Sequence, residues 1–264
     1  MTTSLSGISA HVWSTEEKRI LVAAARQASK GWIGASWTLS FHEDSLDLYE
    51  RPVNKHWPRD RGGRARLIAC GAVLADLECA VRVLGWAPWS DLTSDALGFD
   101  RVARLKSVRR IRPTAADFAR FAALSGRCTK PPPSVMAAWG RTVGKGCEAE
   151  GVRSRLLRPS QVRDLPRVGG QIIRKVTSDD SWVAFLVGTA TEAREQLVRA
   201  GLVAQRLVLA AAEYGLVGNA FTEPFGTPSV RGTLAGISRA VGFPQTVVVV
   251  EEPREKPVRK GSTS

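Results

Sequence analysis

Between Glu192 and Glu213 apolar residues return at the spacing of one helix face: Leu197, Ala200, Ala204, Leu207, Val208 and Ala211. Gly215 ends the run. An apolar stripe this long must be buried, so the chain needs a second surface to cover it. A second stripe runs from Arg64 to Leu84 through Leu67, Cys70, Leu74, Leu77, Val81 and Leu84, and Gly85 stops it. The striped faces of both helices are expected to lie in the core.

Two apolar runs have a different character. Trp182–Val187 (WVAFLV) is continuous and of strand length, which predicts a strand covered on both faces. Gln245–Val250 (QTVVVV) predicts a second, terminal strand. Residues 37–50 alternate as a hairpin: Trp37, Leu39 and Phe41 lead into a turn at His42–Asp44, and Leu46 and Leu48 resume the pattern. Further helices are expected over 15–29 with Thr15 as cap, 114–125 with Thr114 as cap, 135–149, 159–176 and 229–240. Further strands are expected near 87–92, 101–111, 152–157 and 216–221. The order lacks strict strand–helix alternation and predicts an α+β fold with a mixed or largely antiparallel central sheet. Residues 1–250 read as a single domain without a repeat of fixed period, and 251–264 as a disordered tail of charge, Pro, Gly and Ser.

At 264 residues the chain is ample for a buried core. Its longest apolar stretches fall far short of the ~20 residues of a membrane span. The first ten residues carry no basic segment leading into an apolar one, so no secretory signal is expected and the cytoplasm is the expected compartment. Cys70, Cys79, Cys128 and Cys147 form no CxxC and no cluster with histidine, the pattern of reduced cysteines rather than disulfides or a metal site. The net charge of +13 is unevenly placed: residues 101–175 hold 18 Lys and Arg against 4 Asp and Glu, and the rest of the chain is about neutral. Such a region suits phosphate-bearing ligands or nucleic acid. No nucleic-acid-binding motif accompanies it, so nucleic acid is not the expected partner.

Familiar catalytic motifs are absent. Gly140–Gly146 (GRTVGKG) is one residue short of a phosphate loop and has glycine where a magnesium-holding hydroxyl belongs. GxGxxG, GxSxG and HExxH do not occur. His11, His42 and His56 sit in terminal, turn and loop contexts and read as surface residues. Trp86, Trp89 and Trp182 read as core anchors.

Three segments, in order, resemble one family. They are AAARQAS with WTLSFHEDSLDLYERP, then DRGGRARLIACGAVLADLECAVRVLGWAP, then the stretch from LVRAGLVAQRLVL to the terminal QTVVVV. Together they resemble the Acg-like branch of the nitroreductase superfamily over most of residues 15–250. The resemblance implies an α+β fold, FMN as cofactor and NAD(P)H as electron donor. It also implies either a homodimer or a monomer resembling a fused dimer, with no membrane association.

Carried over residue by residue, the resemblance assigns Arg26 and Ser29 to the first cofactor motif and Arg127 and Thr129 to the phosphate segment, with Lys130 beside them. It places the backbone of Val217 and Gly218 against the flavin ring. Gly31, Trp32 and Gly34 stand where the family has His, Asn and Gln, Pro131 replaces a second Arg, and Val247–Val250 offer no cation. Cys70 and Gly71 match a helix motif that serves packing. The FMN phosphate carries about −2 charge, and each charge-assisted bond contributes ~1.5–3 kcal/mol. Losing two therefore weakens binding by about two to four powers of ten. The expectation is an FMN-binding, NAD(P)H-dependent oxidoreductase with a partly degraded site and low activity. The alternative is a non-enzymatic protein that sequesters flavin or binds a partner. Trp32 is expected to stack over the flavin face.

Overall fold

The computed structural model describes residues 11–32, 37–51, 63–92, 100–125, 149–158, 160–161, 182–222 and 242–253, together with residues 139, 143, 147 and 225. Among them the chain forms four helices and two antiparallel sheets, an α+β fold. Helix α1 is Thr15–Gly31, followed by strands β1 (Trp37–Phe41) and β2 (Ser45–Glu50) and helix α2 (Arg64–Val83). Strands β3 (Trp86–Asp91) and β4 (Arg101–Arg110) and helix α3 (Ala115–Leu124) complete the first half. The second half holds β5 (Val152–Leu156), β6 (Trp182–Thr189), helix α4 (Arg194–Glu213), β7 (Val217–Phe221) and β8 (Phe243–Glu251).

The two halves share one topology. The first sheet runs β1-β2-β4-β3 and the second β5-β6-β8-β7, each with its long helix between the second and third strand in chain order. Adding 130 to a residue number in α2 gives its counterpart in α4. Across that offset Arg64 matches Arg194, Leu67 matches Leu197, Gly71 matches Gly201, Leu77 matches Leu207 and Gly85 matches Gly215. Gly85 and Gly215 both have positive φ, at 86° and 74°, and turn each helix into its following strand. The chain is therefore an internal duplication. The offset hides in the sequence because loop lengths differ between halves and most matched positions carry different residues.

The duplicated helices cross face to face, and small residues bring their backbones together. A Cβ on Gly71 would stand 1.9 Å from the Val198 carbonyl oxygen, and one on Gly201 1.8 Å from that of Ile68. Ile68 and Val198 are themselves counterparts, so the crossing is pseudo-twofold. Both apolar stripes are buried in one core cluster that draws on both sheets. The helix N-termini lock the halves: Arg64 donates to Gln245 Oε1 on β8 at 2.7 Å, and Arg194 pairs with Glu50 Oε2 on β2 at 2.9 Å.

Strand β6 explains its unbroken apolar run. Phe185 and Val187 face the main core, while Ala184 and Leu186 join Val247, Val249 and Phe225 in a second cluster on the other face. In the first sheet Leu46 and Leu48 face the core, and Asp47 between them points the other way. Asp47 is 1% exposed and takes two 2.7 Å bonds from Arg104. Burial raises its carboxyl pKa, but the bonds and charge of Arg104, with the charges of Arg101 and His42, outweigh that and hold it below the ordinary carboxylate range.

Several local expectations are revised. The α1 cap is Ser14, which forms a capping box with Glu17, rather than Thr15. Thr114 caps α3 in the same way with Asp117. Trp89 is 49% exposed on the edge strand β3, whereas Trp13 and Trp139 are the most buried indoles among the described residues. His11 is largely buried, stacked on Trp86 at 4.2 Å and bonded to Glu17 at 3.0 Å. The helix expected over 229–240, most of those over 135–149 and 159–176, the loop 126–134 and residues 254–264 lie outside the described residues. Cys70, Cys79 and Cys147 are buried and belong to no disulfide.

Candidate functional site

The duplication creates two corresponding positions for a cavity, one beside each helix-to-strand turn. In the first half Ala75, Glu78, Cys79, Arg82 and Pro88 line one of them, with a volume of about 330 Å³. Their counterparts Gln205, Val208, Leu209, Ala212 and Gly218 line the other, of about 450 Å³. Both volumes fall in the range of small-molecule sites. Their linings differ in kind.

The smaller cavity is occupied by its own charges. Arg82 donates to Asp117 at 2.8 Å, Arg206 to Glu78 at 2.8 Å, and Arg120 pairs with Glu213. Each cation there has a carboxylate, so an incoming anion would have to displace one. Cys79 and Cys147 also line it. Burial pushes the Cys79 thiol up to about 12 and raises Cys147 as well, so both are thiols at neutral pH and poor nucleophiles.

The larger cavity has apolar walls and a polar floor. The end of α1 contributes Gln27 and Ala28, and Trp32 follows it. Ala123 and Leu124 close α3, and the turn into β7 brings Leu216 to Ala220. Among the described residues β7 is the edge of its sheet, paired with β8 alone, so one row of its backbone groups is not used in the ladder. Gly218 lets the strand lie close on α4, because a Cβ there would stand 2.9 Å from Val208 Cα. Within the lining, a relay of side chains crosses the core. Trp32 Nε1 donates to Gln205 Oε1 at 3.0 Å, and Gln205 Nε2 donates to Asp76 Oδ1 at 2.8 Å. Asp76 is fully buried, and burial pushes its carboxyl up to about 8 against the single bond from Gln205.

Of the residues singled out in the sequence, Trp32, Val217 and Gly218 come together around this cavity from opposite ends of the chain. Arg26 is exposed on α1 and is not in the lining, although its neighbours Gln27 and Ala28 are. Ser29 lies in the last turn of α1. Arg127, Thr129 and Lys130 lie outside the described residues. Trp32 is 6% exposed and belongs to the core, where it forms part of the cavity wall and is held by Gln205. Sequence reasoning missed Asp76 and Gln205. Both lie off the apolar stripes of α2 and α4, where a polar residue reads as solvent-facing, so periodicity did not mark them.

Among the described residues no helix is long and apolar enough to cross a membrane, and no cluster of His, Cys, Asp and Glu could hold a metal ion. Compared with models of protein families, the chain matches none. A comparison with curated proteins finds no match.

Proposed function

We propose that the larger cavity holds the ring system of FMN, and that the chain is a nitroreductase-fold flavin protein with low turnover. The observation that supports this most is convergence: Trp32 and the Val217–Gly218 backbone, which the resemblance assigns to a flavin site, line one cavity. Its chemistry suits a planar heteroaromatic ring. Trp32, Val208 and Leu216 supply apolar surface, the edge of β7 supplies backbone donors and acceptors, and Asp76 and Gln205 supply polar contacts at the floor.

The described lining contains no Lys or Arg, so it serves the ring and not the phosphate. In this reading the phosphate falls to the segment with Arg127, Thr129 and Lys130, which begins shortly after the cavity-lining end of α3. Bound FMN would supply hydride transfer, taking reducing equivalents from NAD(P)H. The chain's own groups orient the ring and exclude water from its inner face. Trp32, fixed by its bond to Gln205, fills space that polar side chains occupy in the family, which favours flavin holding over rapid turnover. A nicotinamide must come within ~3–3.5 Å of the ring for transfer.

The test is the absorption spectrum of purified protein before and after addition of FMN, followed by NAD(P)H consumption with a nitroaromatic acceptor. Shifted flavin bands with slow consumption support the reading. Free-flavin bands at every protein concentration refute it, and turnover typical of a flavoenzyme, about 1–10³ s⁻¹, refutes the low-activity part.

A further inference from the structure

We propose that Asp76 is the hydrogen-bonding acid of the larger cavity, donating from Oδ2 to a ring carbonyl oxygen of a planar imide or lactam ligand. This rests on the flavin reading above, in which that carbonyl belongs to the pyrimidine end of the ring.

The relay sets the direction of every bond. An indole N–H only donates, so Trp32 fixes Gln205 with its oxygen toward the indole and its NH₂ toward Asp76. Asp76 Oδ1 is therefore an acceptor. Asp76 Oδ2 is buried and has no hydrogen-bond partner among the described residues. A carboxylate anion with one neutral donor is costly in a buried site, so the proton resides on Oδ2 and the group is a donor lacking an acceptor. The burial that raises its pKa acts in the same direction.

The duplication supplies an internal control. The counterpart of Asp76 is Arg206, which lines the smaller cavity and has Glu78 as its partner at 2.8 Å. The counterpart of Glu78 is Val208, which offers Asp76 nothing polar. The site that keeps its charges paired is thus internally satisfied, and the site whose buried Oδ2 is left without a partner is the one with the larger space.

Asp76 faces uncharged groups across the relay: Gln205 from α4 and Trp32 beyond the end of α1. Cys79, one turn along its own helix, is a thiol held neutral by burial. The nearby charges of α3 and α4, Asp117, Arg120 and Arg206, line the other cavity and are paired there or with Glu213. Loss of the Asp76 proton would set an anion against a carbonyl oxygen with no cation in the described lining to offset it.

The experiment measures riboflavin and FMN binding by flavin fluorescence from pH 6 to 9.5, with the wild-type chain and Asp76→Asn. Asparagine keeps an acceptor for Gln205 and a permanent donor in place of Oδ2–H. The wild-type dissociation constant is expected to be flat near neutrality and to rise about tenfold per pH unit above about pH 8. The Asp76→Asn constant should lack that rise, and ionisation of the flavin itself appears equally in both proteins. Identical profiles in the two proteins overturn the Asp76 assignment and leave the flavin reading standing. No binding by either protein at any pH overturns both. Should the variant not fold, calorimetry of riboflavin binding to the wild type at pH 8.5, in two buffers of different ionisation heat, decides the matter. Proton uptake on binding supports the assignment and its absence overturns it.

Discussion

Replacing Gly71 or Gly201 with alanine tests the duplicated helix crossing. Alanine is the better helix former by ~1 kcal/mol, so local propensity alone predicts stabilisation. The structure predicts the reverse. The new Cβ would stand 1.9 Å or 1.8 Å from a carbonyl oxygen of the facing helix, against about 3.4 Å for ordinary contact. The clash is with backbone, so no rotamer change relieves it, and α2 and α4 must separate by about 1.5 Å at their closest point. Overpacking of cores costs ~1–3 kcal/mol, and a backbone clash lies at or above the top of that range. After the propensity gain, each single variant should lose about 2–4 kcal/mol, a large share of the ~5–15 kcal/mol that holds a domain folded. Both glycines serve one crossing, so separation caused by the first substitution relieves the second. Urea unfolding followed by tryptophan fluorescence should show G71A and G201A destabilised by similar amounts. The double variant should lose at least ~1 kcal/mol less than the sum. A single variant as stable as the wild type, or full additivity, would refute the account of the crossing.

Other outcomes follow from the buried polar groups. Asp76 has a folded pKa raised to about 8, so its contribution to stability is fully present below the unfolded pKa of ~3.9 and is lost as pH rises toward 8. Asp76→Asn should therefore gain on the wild type by up to ~1.4 kcal/mol per pH unit across that window, about 4 kcal/mol at pH 7. A difference that stays constant between pH 5 and 8 in urea titrations would contradict it. Asp47 has the opposite sign: its lowered pKa stabilises above ~3.9 and is lost as pH falls through the folded value. Asp47→Asn should cost ~1–3 kcal/mol at pH 7 by weakening its charge-assisted bonds to the part-exposed Arg104, and acid titration should show it less acid-sensitive than the wild type. Trp32→Phe keeps most of the packing but deprives Gln205 Oε1 of its donor, at a cost of ~1–3 kcal/mol. With FMN present it should consume NAD(P)H faster than the wild type, and unchanged consumption counts against Trp32 as the obstruction.

The parts of this fold legible in the sequence are those where one residue pattern decides the outcome. The helical stripes of α2 and α4, the glycine stops at Gly85 and Gly215, and the two-sided burial of Trp182–Val187 follow from periodicity and turn chemistry. Strand β4 was harder, because Arg101, Arg104 and Lys106 interrupt its apolar pattern. Arg104 and Lys106 are tied to Asp47 and Asp44 on or beside β2, across the sheet. Such a strand reads as polar until its partner is known. The duplication was illegible for a related reason: an α2–α4 offset of 130 residues carries identity at only scattered positions. What matters at most others is a shared place in the crossing rather than a shared side chain. For the site, Trp32, Val217 and Gly218 were found through motif order. Asp76 was not, because an acid off the apolar stripe of α2 reads as solvent-facing until burial and the Gln205 bond show that it is trapped.

The account's central claim is that the larger cavity, and not its counterpart, takes a flavin ring. Equilibrium dialysis with FMN tests this most directly when the wild type is compared with Ala212→Phe, which fills that cavity from α4. The account predicts one FMN per wild-type chain and loss of binding in a folded Ala212→Phe. Absence of FMN retention by the wild type, or undiminished retention by Ala212→Phe, would contradict it.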